Sequence, residues 1–170
     1  LADQPVRLYS CDLWHILPRA CDRPREWSHN WHRDPEGPLV LKLMLFFRDV
    51  DDEAGPFEYV LGSHDGLASD ICKPGQYAAQ GALDKLLAHP IRRRMHRICT
   101  CREGDVVLAN TAGIHRGGGQ LAKPPKRRLQ AFLSIGNREQ NRQADRLECG
   151  VRQAFQPFQL FGAVLQQQRL

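Results

Sequence analysis

At 170 residues, with 42% hydrophobic and 25% charged side chains, the chain is long enough for one domain with a full core and too short for two comfortable ones. No apolar run approaches the roughly 18 residues of a membrane span, so a helical membrane protein is excluded and no membrane partner is expected. The net charge of +5 gathers at Arg92-Arg93-Arg94, Arg97 and Lys123 to Arg128. No recognition motif accompanies it, so a solvated basic face or an acidic small ligand is favoured over a nucleic acid.

The first segment, Leu1 to Asn30, is mixed, with Trp14, Pro18, Pro24 and Trp27, and reads as a short strand and a long loop. The chain begins on Leu rather than Met, and part of the domain is expected to be missing at this end. No leader pattern is visible, so a cytoplasmic setting is expected. Leu39 to Arg48 is the strongest strand pattern, bounded by Pro38 and the acidic run from Asp49. Asp51 to Pro56 is a turn, Phe57 to Leu61 a short strand, and Gly62-Ser63-His64 turns the chain again. Between Gly66 and His89 the pattern weakens; Ala78 to Ala88 reads as a helix interrupted by Gly81. Arg97 to Thr100 and Asp105 to Ala109 are two strands joined by Arg102-Glu103-Gly104. Gly117-Gly118-Gly119 and Pro124-Pro125 make a loop, and Arg128 to Ile135 is the last clear strand. Beyond Gly136 the chain is polar and Gln-rich, with Phe155, Phe158, Phe161 and Leu165 at near-helical spacing, as in an end helix or an interface segment.

Many short strands, Gly/Pro turns and few helices point to a mostly β domain, a jelly roll or double-stranded β-helix with a few flanking helices. The expectation is a single domain over 1–170, with its core at about 27–136 and 137–170 as a C-terminal packing segment. The six cysteines are irregularly spaced and form no paired zinc motif, so they are expected to be reduced thiols. Cys99 and Cys101 lack a defined partner that would activate them as nucleophiles.

The chemistry concentrates at His32-Arg33-Asp34. In an extended segment residues i and i+2 face one side, so His32 and Asp34 can reach one ion while Arg33 points away. A third ligand has to come from a neighbouring strand, remote in sequence. His115 qualifies, because it lies just past the apolar run Val106 to Ala109. Two imidazoles and one carboxylate make the facial triad that suits Fe(II) and leaves coordination positions open. By itself a His-x-Asp is more readily a surface turn with an exposed His; the distal His and the fold context favour a metal. His15, His29, His89 and His96 lack partners at ligand spacing, though His29 lies near enough to support the site. Glu53 reads as a solvated turn acid. Asn110 and Thr111 are placed to line a pocket beside His115, and Trp27 and Trp31 to wall its mouth or fill the core.

A planar guanidinium can hold a carboxylate with two hydrogen bonds, as a 2-oxoglutarate cosubstrate requires. Lys126-Arg127-Arg128-Leu129-Gln130 opens the last strand, taken to run antiparallel to the one that presents His115. Alternation turns Arg127 and Arg128 to opposite faces. With Arg128 inward, Gln130 and Ser134 share its side; with Arg127 inward the polarity reverses. Arg128 is favoured.

The blocks Trp31 to Pro35, Leu41 to Phe47, Asp49-Val50-Asp51, Gly55-Pro56-Phe57 through Gly62-Ser63-His64, Gly104 to Leu108, and Gly113 to Gly118 resemble, in order and spacing, the phytanoyl-CoA dioxygenase (PhyH-like) family. The resemblance runs from about Trp31 to Ile135. It implies a double-stranded β-helix in which His32, Asp34 and His115 hold Fe(II) and serve catalysis, with 2-oxoglutarate bound by Arg128 or Arg127. It further implies that O₂ is used to hydroxylate or otherwise oxidise a small organic substrate, releasing succinate and CO₂. Retention of Asp34 favours oxidation over halogenation. In the family the His of Gly-Ser-His belongs to the frame, so His64 is expected to be structural. Leu61 departs from the Pro often found there, and the family's upstream helices are not evident. Two other readings compete: a cupin-like metalloenzyme that does not use 2-oxoglutarate, and a basic β-sandwich that binds a polyanion without catalysis.

Overall fold

The computed structural model of the chain describes residues 6–16, 27–35, 40–65, 71–78, 81, 87–88, 90–118, 128–137 and 166–168. The strands are β1 (Val6–Ile16), β2 (Val40–Phe46), β3 (Phe57–Val60), β4 (His96–Cys99), β5 (Val106–Asn110), β6 (His115–Gly117), β7 (Arg128–Asn137) and β8 (Gln166–Gln168). One short helix, α1 (Pro90–Arg93), precedes β4. Every strand pairing is antiparallel. Five strands form one sheet in the order β1-β7-β2-β5-β8, and three form a second, β4-β3-β6.

Period-two alternation shapes both sheets. In β2, Met44 and Phe46 turn into the space between the sheets, and Lys42 shares their side. Phe57 and Tyr59 of β3 face them. With Val50, Ala54, Cys99, Cys101, Val107 and Ala109 these side chains form the main core. Val60 faces the other way and joins Trp31, Cys72 and Ile114 in a second cluster on the far side of the smaller sheet. A 3-10 turn at Asp52–Ala54, capped by the Asp51 carboxylate on Ala54 N at 2.9 Å, links β2 to β3 and buries Ala54.

The strands expected at Leu39 to Arg48, Phe57 to Leu61, Arg97 to Thr100 and Asp105 to Ala109, and the turns at Asp51 to Pro56 and Gly62 to His64, are found as β2, β3, β4, β5 and two 3-10 turns. Three features differ. The N-terminal segment holds no short strand but an eleven-residue one, paired with β7 along its length. Its exposed Leu13 and Trp14 disguise a strand that, among the described residues, has one sheet neighbour. Second, β7 does not pair with the strand that presents His115. His115 starts β6 of the smaller sheet, whereas β7 lies between β1 and β2 of the larger one. The strands on either side of the Gly/Pro segment, β6 and β7, therefore belong to different sheets. Third, Gln166–Gln168 is extended and pairs with β5. The rest of the proposed end helix, most of Ala78 to Ala88, Cys21, Cys149 and Arg127 lie outside the described residues. Cys11, Cys72, Cys99 and Cys101 are free thiols. Burial pushes Cys99 and Cys101 up to about 11 and about 12, which leaves neither poised as a nucleophile. Among the described residues no helix is long and apolar enough to cross a membrane.

Candidate metal centre

The segment Trp31–Asp34 is drawn out beside β6 by main-chain hydrogen bonds. His32 N donates to His115 O at 2.9 Å and His115 N donates to His32 O at 3.0 Å. Asp34 N donates to Thr111 O at 3.1 Å. The extended backbone then turns His32 and Asp34 to one side and Arg33 to the other, where its guanidinium donates to Ala112 O at 3.0 Å. His32 Nε2 lies 3.6 Å and His115 Nε2 3.7 Å from Asp34 Oδ1. Among the described residues these three side chains form the group whose donor atoms all fall within 4.8 Å. Such separations exceed a good hydrogen bond and leave room for an ion between the donors.

Both rings are held in the tautomer that a metal needs. His32 Nδ1 bonds Asn30 O at 2.8 Å, and His115 Nδ1 bonds Gly113 O at 2.9 Å. A ring nitrogen facing a carbonyl must carry the proton, so each Nε2 keeps its lone pair for the site. Burial drives the His115 imidazole well below its ordinary range, against the pull of Asp34, and nearby His32 and Lys42 push the same way. Burial works to raise Asp34, but His115 and Lys42 and the hydrogen bonds from Lys42 and Thr111 outweigh it and hold the carboxyl below its usual value. The site thus presents a neutral imidazole and an ionised carboxylate.

Its frame comes from the turn motifs. Ser63 of Gly62-Ser63-His64 donates to Val60 O at 2.6 Å and accepts Ile114 N at 2.7 Å, fixing the residue before the ligand. Gly113 packs so tightly that a Cβ there would collide with the Tyr59 hydroxyl and Ser63 Oγ. His64 contacts the Tyr59 hydroxyl at 3.5 Å and Asp65 at 3.3 Å and takes no part in the donor group, as expected for a structural residue. Behind the ligands, buried Glu58 bonds Arg116 at 2.9 Å and His96 at 2.8 Å, and Arg116 lies over the Trp31 ring at 4.2 Å. Trp31 and Arg116 each adjoin a ligand, so this cluster ties the two ligand segments together. The sequence reading missed Glu58 and Lys42. The available signal was a charge inside an apolar strand: Glu58 in FEYV and Lys42 in VLKLMLF.

A cavity of about 440 Å³ opens onto His32, Asp34 and His115. Its walls include Lys42, Thr111, Gln130, Phe132 and Ser134, with Trp14 and half-buried His29 also lining it. Trp14 packs edge-on against Phe132, ring centres 5.4 Å apart. Asn110 instead serves the frame, its Oδ1 accepting from Val40 N and Ala112 N. Trp31 fills the second core cluster. Gln130 is buried, and its Oε1 has no hydrogen-bond partner among the described residues. Arg128 opens β7 at a position of the same parity as Gln130 and Ser134.

The phytanoyl-CoA dioxygenase (PhyH) model matches residues 23–127, well over half of the sequence. The chain belongs to the PhyH family. No curated relative matches it. Among solved structures this PhyH chain is similar to EctD from S. alaskensis with bound Fe, at 20% identity and a TM-score of 0.55, over 80% of this chain and 46% of that one. It is also similar to EvdMO1, at 22% identity and a TM-score of 0.54, over 79% and 28% of the two chains. A third is the epimerase SnoN in complex with Fe3+, alpha ketoglutarate and nogalamycin RO, at 17% identity and a TM-score of 0.53, over 89% and 60%. At these identities the likeness establishes the fold, a double-stranded β-helix. The PhyH chain spans less than two thirds of the length of each.

Proposed function

We propose that residues 1–170 form one oxygenase domain whose His32, Asp34 and His115 hold Fe(II) and whose cavity takes 2-oxoglutarate beside it. The observation that carries this reading is the donor set itself. Two Nε2 atoms and one carboxylate oxygen converge while both Nδ1 atoms are occupied by carbonyls. Iron and 2-oxoglutarate are the groups named for the structural relatives EctD and SnoN. When bound, they supply O₂ activation and oxidation of a small organic substrate, with release of succinate and CO₂.

The chain's own residues supply position and environment. His32, Asp34 and His115 would hold the ion from one side, leaving coordination positions for ligands. Gln130 fits a bound cosubstrate, because its buried Oε1 lacks a partner among the described residues and its carboxamide can turn either end to a ligand. Arg128, or Arg127, is assigned to the far carboxylate of 2-oxoglutarate, where a guanidinium fork gives paired hydrogen bonds. Phe57, whose ring centre is 5.6 Å from that of His115, and Phe132 keep water away from the inner wall. Asp34 fills the position that a halide would need, so the chemistry is hydroxylation or a related oxidation rather than halogenation.

The test is 2-oxoglutarate turnover by the full chain loaded with Fe(II). Wild type is expected to release succinate and Asp34→Ala to release none while remaining folded. Succinate formation in Asp34→Ala would contradict the assignment.

A further inference from the structure

Lys42 is the outlying residue of the site. It stands on β2, between β5 and β7, with its Cα opposite Ala109 and Ser134. A central strand position suits an apolar side chain. A cation beside a metal centre also opposes metal binding. Yet its ammonium donates to Asp34 Oδ2 at 2.6 Å, and the side chains are only 21% and 11% exposed. The two oxygens of Asp34 are thereby separated in role. Oδ2 is committed to Lys42, while Oδ1 faces the two Nε2 atoms at 3.6 and 3.7 Å.

This separation matters because a carboxylate can bind a metal through one oxygen or both. Two-oxygen binding would occupy a coordination position that a chelating cosubstrate and O₂ need. Resting on the metal-centre reading above, we propose that Lys42 is a positioning residue that restrains Asp34 to one-oxygen ligation and keeps half of the octahedral shell open. The rigidity of β2 is part of the device. The Lys42 backbone is fixed on both sides, and Asp34 N is tied to Thr111 O, so the ammonium and the carboxylate approach each other from two anchored chains. A guanidinium could donate in the same way; an apolar side chain could not.

The experiment uses the full chain and Mn(II), whose bound waters are counted from the relaxation of solvent protons. Wild type should show about three inner waters and Lys42→Met about two, with Lys42→Arg returned to the wild-type count. Equal counts in wild type and Lys42→Met would overturn the proposal, and a 2-oxoglutarate affinity that falls with unchanged counts would assign Lys42 to the cosubstrate instead. Should Lys42→Met not fold, the infrared carboxylate stretches of ¹³C-aspartate-labelled wild type decide alone. A one-oxygen splitting on Mn(II) addition supports the role, and a two-oxygen splitting ends it. No Mn(II) uptake by wild type would remove the metal centre and this role with it, an outcome distinct from uptake with an unchanged water count.

Discussion

His32 and His115, far apart in the chain, exchange both of their main-chain hydrogen bonds, at 2.9 and 3.0 Å, as directly opposed residues of antiparallel strands do. Their ring centres lie only 4.2 Å apart as a result. The backbone thus brings the two imidazoles together before any metal is bound, and Asp34 follows on the same face two residues later.

That pairing depends on the approach of Gly113. Its carbonyl takes the His115 Nδ1 proton, and its Cα faces the Tyr59 hydroxyl with no room for a side chain. Gly113→Ala should cost about 1–3 kcal/mol by overpacking. It should weaken metal uptake further by displacing His115. Urea unfolding and metal titration of the same variant check both parts; an unchanged metal affinity would show that the loop tolerates the methyl.

Glu58 is the buried anion that Arg116 and His96 share. Glu58→Gln removes the charge and leaves the Arg116 guanidinium buried without its counter-ion, which should cost about 3–5 kcal/mol of stability. Thermal or denaturant unfolding of the variant gives the number. A loss below about 1 kcal/mol would place Arg116 in solvent instead.

Gln130 should trade stability for binding. Its buried Oε1, unpartnered among the described residues, burdens the ligand-free chain. Gln130→Leu should therefore stabilise that chain by about 1–2 kcal/mol, while 2-oxoglutarate affinity falls. Melting curves with and without the cosubstrate separate the effects. A variant less stable than wild type and equal in affinity would contradict the role.

Acid should destabilise the metal-free chain. Burial holds the His115 ring well below its ordinary value of 6.5, so the unfolded chain takes up that proton first. The stability from the neutral ring is complete above 6.5 and is lost as the pH falls below it, until the buried ring itself protonates. Asp34, also held low, adds a contribution present above 3.8 and lost as the pH falls through its folded value. Stability measured from pH 8 to 4 should decline from about 6.5 downward in wild type and more shallowly in His115→Asn.

Local pattern made much of this legible. The i, i+2 rule placed His32 and Asp34 on one side with Arg33 opposite, and the apolar runs marked β2, β3, β5 and β7. What local pattern could not carry was pairing. Nothing near His115 shows that it opens a strand bridged to His32, or that β7 crosses to the other sheet, because such bonds join distant segments. β1 was obscured for a related reason. One parity carries Cys11, Leu13 and His15 and the other Asp12, Trp14 and Ile16, so both faces mix polar and apolar side chains, which blurs the alternation. Lys42 and Glu58 look like interruptions of apolar strands until their partners, Asp34 and Arg116, are seen.

The most direct measurement is Fe(II) stoichiometry under anaerobic conditions, followed by addition of 2-oxoglutarate. Wild type should bind one Fe(II) per chain, and 2-oxoglutarate should then raise a weak visible charge-transfer band. His32→Ala, Asp34→Ala and His115→Ala should each lose tight binding and the band while remaining folded. Full Fe(II) binding and an intact band in His115→Ala would contradict a centre built from these three side chains.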